Sequence, residues 1–175
     1  MATESNSTPG IHLADAPSDI AIARQLFVEY ATWLNVDLCF QGFDAELATL
    51  PGAYAPPRGR LLLAGTPEET FGCIALRPLE AMHAPGGAPA TSARARTGEV
   101  KRLFVRAAHR GGGWGRSLAE ALIADARAIG YGELKLDTLD WMTDARRLYA
   151  NLGFRECAAY YENPLPGVVY MALAL

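Results

Sequence analysis

At 175 residues, half of them hydrophobic, a fifth charged and with a net charge of −3, the chain is long enough to bury one proper core and short for two domains. A general nucleic-acid binder is more often basic, and no apolar stretch approaches membrane-spanning length. The opening MATESNSTPG has neither the positive region nor the apolar run of a signal peptide. A cytoplasmic protein is therefore expected, with no nucleic acid and no membrane as partner. Cys39, Cys73 and Cys157 are odd in number, far apart and form no C-x-x-C pair, and His12, His83 and His109 are equally scattered. Neither a disulfide frame nor a metal site is expected from such spacing. Residues 1–10 read as a disordered tail and 11–175 as one domain.

"IHLADA" (11–16) alternates like a short strand, and Ser18-Asp19 after Pro17 suits a helix start as cap and first-turn acid. Ala23, Leu26, Phe27, Tyr30, Trp33 and Leu34 then repeat at three and four residues, the apolar stripe of an amphipathic helix. A second helix is expected over 44–50, stopped by Pro51-Gly52. Two apolar runs, 59–66 and 70–79, flank Pro67-Glu68-Glu69 in the pattern of a hairpin. From 80 to 97 the chain turns to Ala, Pro, Gly, Ser and Thr, the composition of a long hairpin tip. A strand resumes over 98–106. After the glycines, Leu118, Leu122, Ala126 and Ile129 mark a helix that Gly130 ends. "ELKLDTL" (133–139) alternates as a strand, and Ala145, Leu148, Tyr149 and Leu152 share one face of a short helix closed by Gly153. Strands over 154–160 and 168–175 complete the order β α α β β β α β α β β. That order predicts an α/β (α+β) fold with antiparallel hairpins first and one strand-helix-strand crossover.

The segment "RGGGWGRS" (110–117) carries the most chemistry. It is not the dinucleotide fingerprint, because the sixth position is Arg116 counted from Gly111 and Leu118 counted from Gly113, and it is not a P-loop, because no Gly-Lys-Ser/Thr is present. It does read R-x-x-G-x-G, as Arg110, Gly113 and Gly115, between a strand and a helix. Consecutive backbone N–H groups free of side chains at a helix N-terminus suit an anion such as a pyrophosphate, with Arg110 or Arg116 adding charge.

The segment 99–126 resembles the central motif of the GCN5-related N-acetyltransferase (GNAT) superfamily, and "LYANLGF" (148–154) is similar to the family's L-Y-x-x-x-G-F helix. The resemblance runs from Ile11 to the end. It implies a mixed, mostly antiparallel sheet of about seven strands, splayed between the fourth and fifth, with about four flanking helices. It also implies acetyl-CoA as co-substrate, an amine as acceptor and homodimers as a common state. The backbone of Leu103, Phe104 and Val105 is then expected to hold the pantetheine arm, where N–H donors can also polarise a thioester carbonyl. Gly111, Gly112, Gly113, Trp114, Gly115, Arg116 and Ser117 are expected to take the pyrophosphate together with Arg110.

In that family a glutamate eleven positions before the motif arginine is the general base of histone-type members, which here is Glu99. Lys101 shares its side of the strand, and close approach would keep Glu99 ionised and blunt its basicity. Tyr149 matches the tyrosine that protonates the leaving thiolate. A thiol near ~8.5 is a leaving group that a phenol near ~10 can assist. The family's asparagine three residues before the helix alanine falls on Met142, which cannot make an amide's hydrogen bonds. Tyr30, Trp33, Asn35, Asp37, Tyr54, Tyr160, Tyr161, Glu162 and Asn163 fall where the acceptor site is expected, although Tyr30 and Trp33 also read as core. An acyl-CoA-binding sensor of the same fold is the alternative function. A phosphotransferase using the glycines for ATP lacks its lysine.

Overall fold

The computed structural model of the chain describes residues 8–66, 68–79 and 96–175. β1 (Gly10–Leu13) leads into α1 (Pro17–Leu34), followed by α2 (Phe43–Thr49). Pro17 occupies the first turn, where its missing N–H costs nothing, and the Asp19 carboxylate accepts the Ala16 N–H at 3.3 Å. Ser18, expected as the cap, lies inside the helix. The strands β2 (Arg60–Gly65), β3 (Thr70–Pro78) and β4 (Arg96–Val105) pair antiparallel with their neighbours. The chain continues through α3 (Trp114–Ile129), β5 (Tyr131–Leu139), α4 (Thr143–Asn151), β6 (Arg155–Glu156) and β7 (Val168–Ala174).

The sheet order is β1-β2-β3-β4-β5-β7-β6, seven strands in one sheet. Among the described strands only β4 and β5 run parallel, joined by α3 as the crossover that a parallel pair requires. Gly130 ends α3 at φ +94 and Gly153 follows α4 at φ +97, both left-handed as their positions in the sequence suggest. Among the described residues no helix is long and apolar enough to cross a membrane.

Some boundaries differ from expectation. β4 begins at Arg96 and β5 at Tyr131, each two residues early. The strand expected over 154–160 is only Arg155–Glu156, because Tyr160 and Tyr161 turn their hydroxyls to buried carboxylates in the middle of the sheet. Of the hairpin tip expected over 80–97, residues 80–95 lie outside the described residues and Arg96 and Thr97 belong to β4. Pro67 and positions 1–7 of the expected tail also lie outside the described residues, and Gly10 already belongs to β1.

Two cores sandwich the sheet. Leu118, Leu122, Ala126, Leu134, Leu136 and Phe154 pack under α3 and α4. Ala23, Leu26, Phe27, Leu61, Leu63 and Phe104 pack on the other face, under α1 and α2. The ends of α1 and β4 are tied by Arg106, which donates twice to Glu29 at 2.8 and 2.7 Å and once to the Thr70 carbonyl.

Candidate active site

β4 and β5 pair only from Arg96 to Glu99, opposite Tyr131 to Lys135. Beyond that point they diverge, and a cavity opens in the gap. From β4 it is lined by Val100 to Leu103, and from β5 by Asp137 to Leu139. Tyr30 and Leu34 of α1 reach it from one face of the sheet, Ala145 and Tyr149 of α4 from the other. The opening therefore runs through the sheet. A molecule entering from the α4 side can meet one entering from the α1 side.

A bulge in β4 shapes one wall. The register with β3 shifts between Cys73 and Ala75, and Arg102 stands at φ +59. Such a left-handed conformation costs a non-glycine residue on the order of 1 kcal/mol and survives only where the surroundings enforce it. Here the enforcing group is Glu46 of α2, which accepts two bonds from Arg102 at 3.0 and 2.6 Å, while the guanidinium also lies 5.1 Å from the Phe43 ring centre. Tyr54 donates to the same carboxylate at 2.7 Å. Burial works against the charge on Glu46, but the bonds and charge of Arg102 outweigh it and hold the carboxyl below the usual range. The bulge also resets the alternation of side chains, so that Glu99, Lys101, Arg102 and Phe104 all lie on the α1 face.

Glu99 is 1% exposed. Its carboxylate accepts from Arg77 Nε at 2.7 Å and from the Tyr160 hydroxyl at 3.0 Å, with Lys101 Nζ 3.7 Å away. It is not among the residues lining the cavity. Lys101 itself bonds Asp137 at 3.0 Å. Asp137 also accepts from Tyr161 at 2.9 Å and Asn163 at 3.3 Å. Burial, then the neighbouring carboxylates, push the Tyr160 and Tyr161 phenols well above the ordinary tyrosine range.

Tyr149 is 7% exposed and lines the cavity, with its ring edge-on to Phe154 at 5.5 Å. Its hydroxyl has no hydrogen-bond partner among the described residues. Burial first, then Tyr30 and Asp137, raise its pKa, so the phenol holds its proton. Met142, where the family carries asparagine, also lines the cavity and accepts a 3.6 Å contact from Thr138 Oγ1.

At the far end of β4, Arg106 N–H donates to the Phe71 carbonyl on β3, so by alternation the polar backbone of Phe104 also faces β3, while that of Leu103 and Val105 faces the gap. The Val105 carbonyl accepts a 2.7 Å bond from Arg110 Nε, and the Arg110 guanidinium stacks 4.6 Å from the Trp33 ring centre. Gly111 and Gly113 stand at φ +81 and +83, and a Cβ built on either meets no atom within 4 Å. Gly113 caps α3, so the amides of Trp114, Gly115 and Arg116 open into that space. Trp114 anchors the turn edge-on to Phe71 at 5.1 Å. Arg116 is spent on Glu120 at 2.9 Å, and Ser117 is exposed in the first turn. This donor set, open and free of side chains, fits the pyrophosphate of a coenzyme.

Trp33 departs from the reading of its stripe. It is 42% exposed and packs beside Trp141, itself 51% exposed, with ring centres 6.1 Å apart. Near the end of α1 the sheet no longer offers a closed surface to bury it. Asp137, Gln41 and Glu46 are site residues that the sequence reading passed over. Asp137 shares its strand parity with Glu133 and Lys135, which reads as a solvated face, and the only signal for Glu46 is an acid in the first turn of a short helix.

A splayed sheet with a through-going gap, a phenol inside it without a hydrogen-bond partner among the described residues, and an amide cradle at its end fit an acyltransferase that takes a coenzyme thioester. The acetyltransferase (GNAT) family profile matches residues 25–154. An uncharacterised N-acetyltransferase of Schizosaccharomyces pombe is 36% identical over 97% of this chain and 96% of its own length. A Streptococcus agalactiae acetyltransferase structure matches with a TM-score of 0.72 at 19% identity, over 95% of this chain and 98% of that one. A Salmonella typhimurium acetyltransferase, solved with its cofactor acetyl-CoA, matches with a TM-score of 0.66 at 21% identity, over 96% and 94%. The chain belongs to the acetyltransferase (GNAT) family.

Proposed function

We propose that the protein transfers the acetyl group of acetyl-CoA directly to an amine, with Tyr149 as the acid. The observation that carries this reading is Tyr149: a side chain 7% exposed whose phenol holds its proton, with no hydrogen-bond partner among the described residues, set in the gap where the two faces of the sheet communicate. When bound, the coenzyme supplies an activated acetyl thioester. The backbone groups of Leu103 and Val105 orient its arm, and the amides from Gly111 to Arg116, with the Ser117 hydroxyl, take its phosphates. Phe104 holds β4 against β3, and Arg110 guards the strand end until the coenzyme replaces it at the Val105 carbonyl. Tyr149 keeps its proton at the phenol oxygen for delivery to sulfur.

Glu99 fits a positioning role better than direct proton removal, because both Arg77 and Tyr160 already bond its carboxylate. It fixes Lys101 and Tyr160 beside the cavity. Free cysteines at all three positions suit a reducing compartment, and the reading takes the cytoplasm as its setting and a single copy or a homodimer as the working unit.

The test is thiol release from acetyl-CoA by the purified protein across polyamines, amino acids, aminoglycosides, arylamines and peptide N-termini. Acetylation of at least one class supports the reading. Calorimetric binding of acetyl-CoA with no thiol release from any of them supports the second reading, a coenzyme-binding sensor, which the methionine at 142 favours.

A further inference from the structure

We propose that the acceptor is an arylamine: a weakly basic amine, uncharged at neutral pH and carrying no carboxylate. This rests on the acetyltransferase reading and concerns the same cavity. Among the described residues, every charged side chain that lines it is already paired. Asp137 engages Lys101, Tyr161 and Asn163, Lys101 also faces Glu99, and Arg102 is held twice by Glu46. A carboxylate-bearing acceptor would find no unpaired cation, and breaking a buried pair is costly. An ammonium would meet Lys101 and Arg102 in the wall and no free carboxylate to receive either its charge or its proton. Ordinary alkyl amines arrive as ammonium, since a lysine-like amine titrates near ~10.4.

What the cavity does offer is neutral. The Gln41 amide oxygen is buried with no partner. Its orientation is fixed by proton counting: Tyr161 spends its single hydroxyl proton on Asp137, so Gln41 must turn its NH2 toward Tyr161, 3.4 Å away, leaving the oxygen free. An uncharged amine N–H satisfies that oxygen. The walls beside it are apolar, from Leu34, Leu38, Leu139, Met142 and Leu165. Trp33 and Trp141 each directly precede a lining residue; Arg110 already stacks on Trp33, so the exposed Trp141 indole is the face left for a flat ring. In the reaction the nitrogen forms its bond to the acetyl carbon as the C–S bond breaks. Sulfur takes the Tyr149 proton, and the proton shed by nitrogen passes to the Tyr149 oxygen and restores the phenol, so amine and thioester give amide and thiol.

The experiment compares 4-methylaniline with 4-methylbenzylamine, spermidine and phenylalanine as acceptors at neutral pH, by thiol release at saturating acetyl-CoA, with coenzyme binding measured by calorimetry. The expected result is a kcat/KM for the arylamine at least tenfold above each of the others. Gln41→Leu should lower it about tenfold, chiefly through KM, the worth of one buried hydrogen bond. Trp141→Ala, at an exposed position, should raise KM severalfold without moving the melting temperature. If benzylamine, spermidine or phenylalanine is acetylated as well as the arylamine, the acceptor assignment falls and the acetyltransferase reading stands. If none of the four reacts but another amine of the broader panel does, the acceptor assignment alone falls; if acetyl-CoA binds and no amine of that panel reacts, or if it does not bind, both fall.

Discussion

Replacing Tyr149 by phenylalanine separates catalysis from binding in one variant. The hydroxyl has no hydrogen bond to lose among the described residues, and the ring keeps its edge-on contact with Phe154, so the folded state should change by less than about 0.5 kcal/mol. Coenzyme affinity should likewise move by no more than about threefold, because backbone amides carry it. A positioned acid contributes on the order of 10²–10⁴ in rate, so kcat should fall by about 100-fold or more. The pH behaviour has a definite sign. Burial, then Tyr30 and Asp137, raise the phenol's pKa, so the folded protein holds this proton above the ordinary tyrosine value near ~10. The resulting contribution to stability is complete below that value and is lost as pH rises through the higher folded one. Wild-type kcat should therefore show no alkaline decline from Tyr149 below about pH 9, and only wild type should lose this contribution under stronger alkali. The assay is thiol release with the best acceptor, beside calorimetry for acetyl-CoA. A variant that keeps kcat within about threefold of wild type would refute the acid role.

Glu46→Gln leaves the buried Arg102 charge without its partner and should cost about 3 kcal/mol at pH 7 in urea unfolding. Because the Glu46 pKa is lowered in the fold, that stability is present above the ordinary glutamate value and is lost as pH falls through the lower folded one, so the gap between variant and wild type should close in acid; an equal gap at pH 7 and about pH 3 would contradict the assignment. Gly113→Ala meets open space but sits at φ +83, so the backbone alone should cost about 1–2 kcal/mol, read as a lower melting temperature, with coenzyme affinity falling severalfold in calorimetry. Gly98→Ala would set a methyl 2.8 Å from Leu76 Cδ1 and 3.0 Å from Leu134 Cδ2, an overpacking that should cost about 1–3 kcal/mol in the same urea assay.

The elements legible in the sequence are those whose cause is local. α3 follows from the spacing of Leu118, Leu122 and Ala126 and from Gly130 at its end, and the amide cradle from glycines with nothing opposite them. The polar network was not legible, because its pairs join residues far apart in the chain: Arg102 with Glu46, Lys101 with Asp137, Tyr160 with Glu99. Asp137 sits in an alternating strand and faces the gap only because β5 leaves β4 after Lys135. The bulge at Arg102 hid a further consequence, placing two successive cations on one face where strict alternation would separate them. Trp33 followed the helix stripe in period but met no closed sheet to cover it.

The divergence of β4 and β5 gives this protein an unfinished edge in its interior. Sheet proteins guard their outer edges against pairing with foreign chains, and here two helices and the Arg110 side chain on the Val105 carbonyl stand guard over an inner one. A coenzyme that pairs with β4 as proposed would also be a structural part. At a hundredfold excess over its dissociation constant it would add about 2.7 kcal/mol to the folded state. The protein's resistance to unfolding, and not only its turnover, would then depend on the coenzyme concentration.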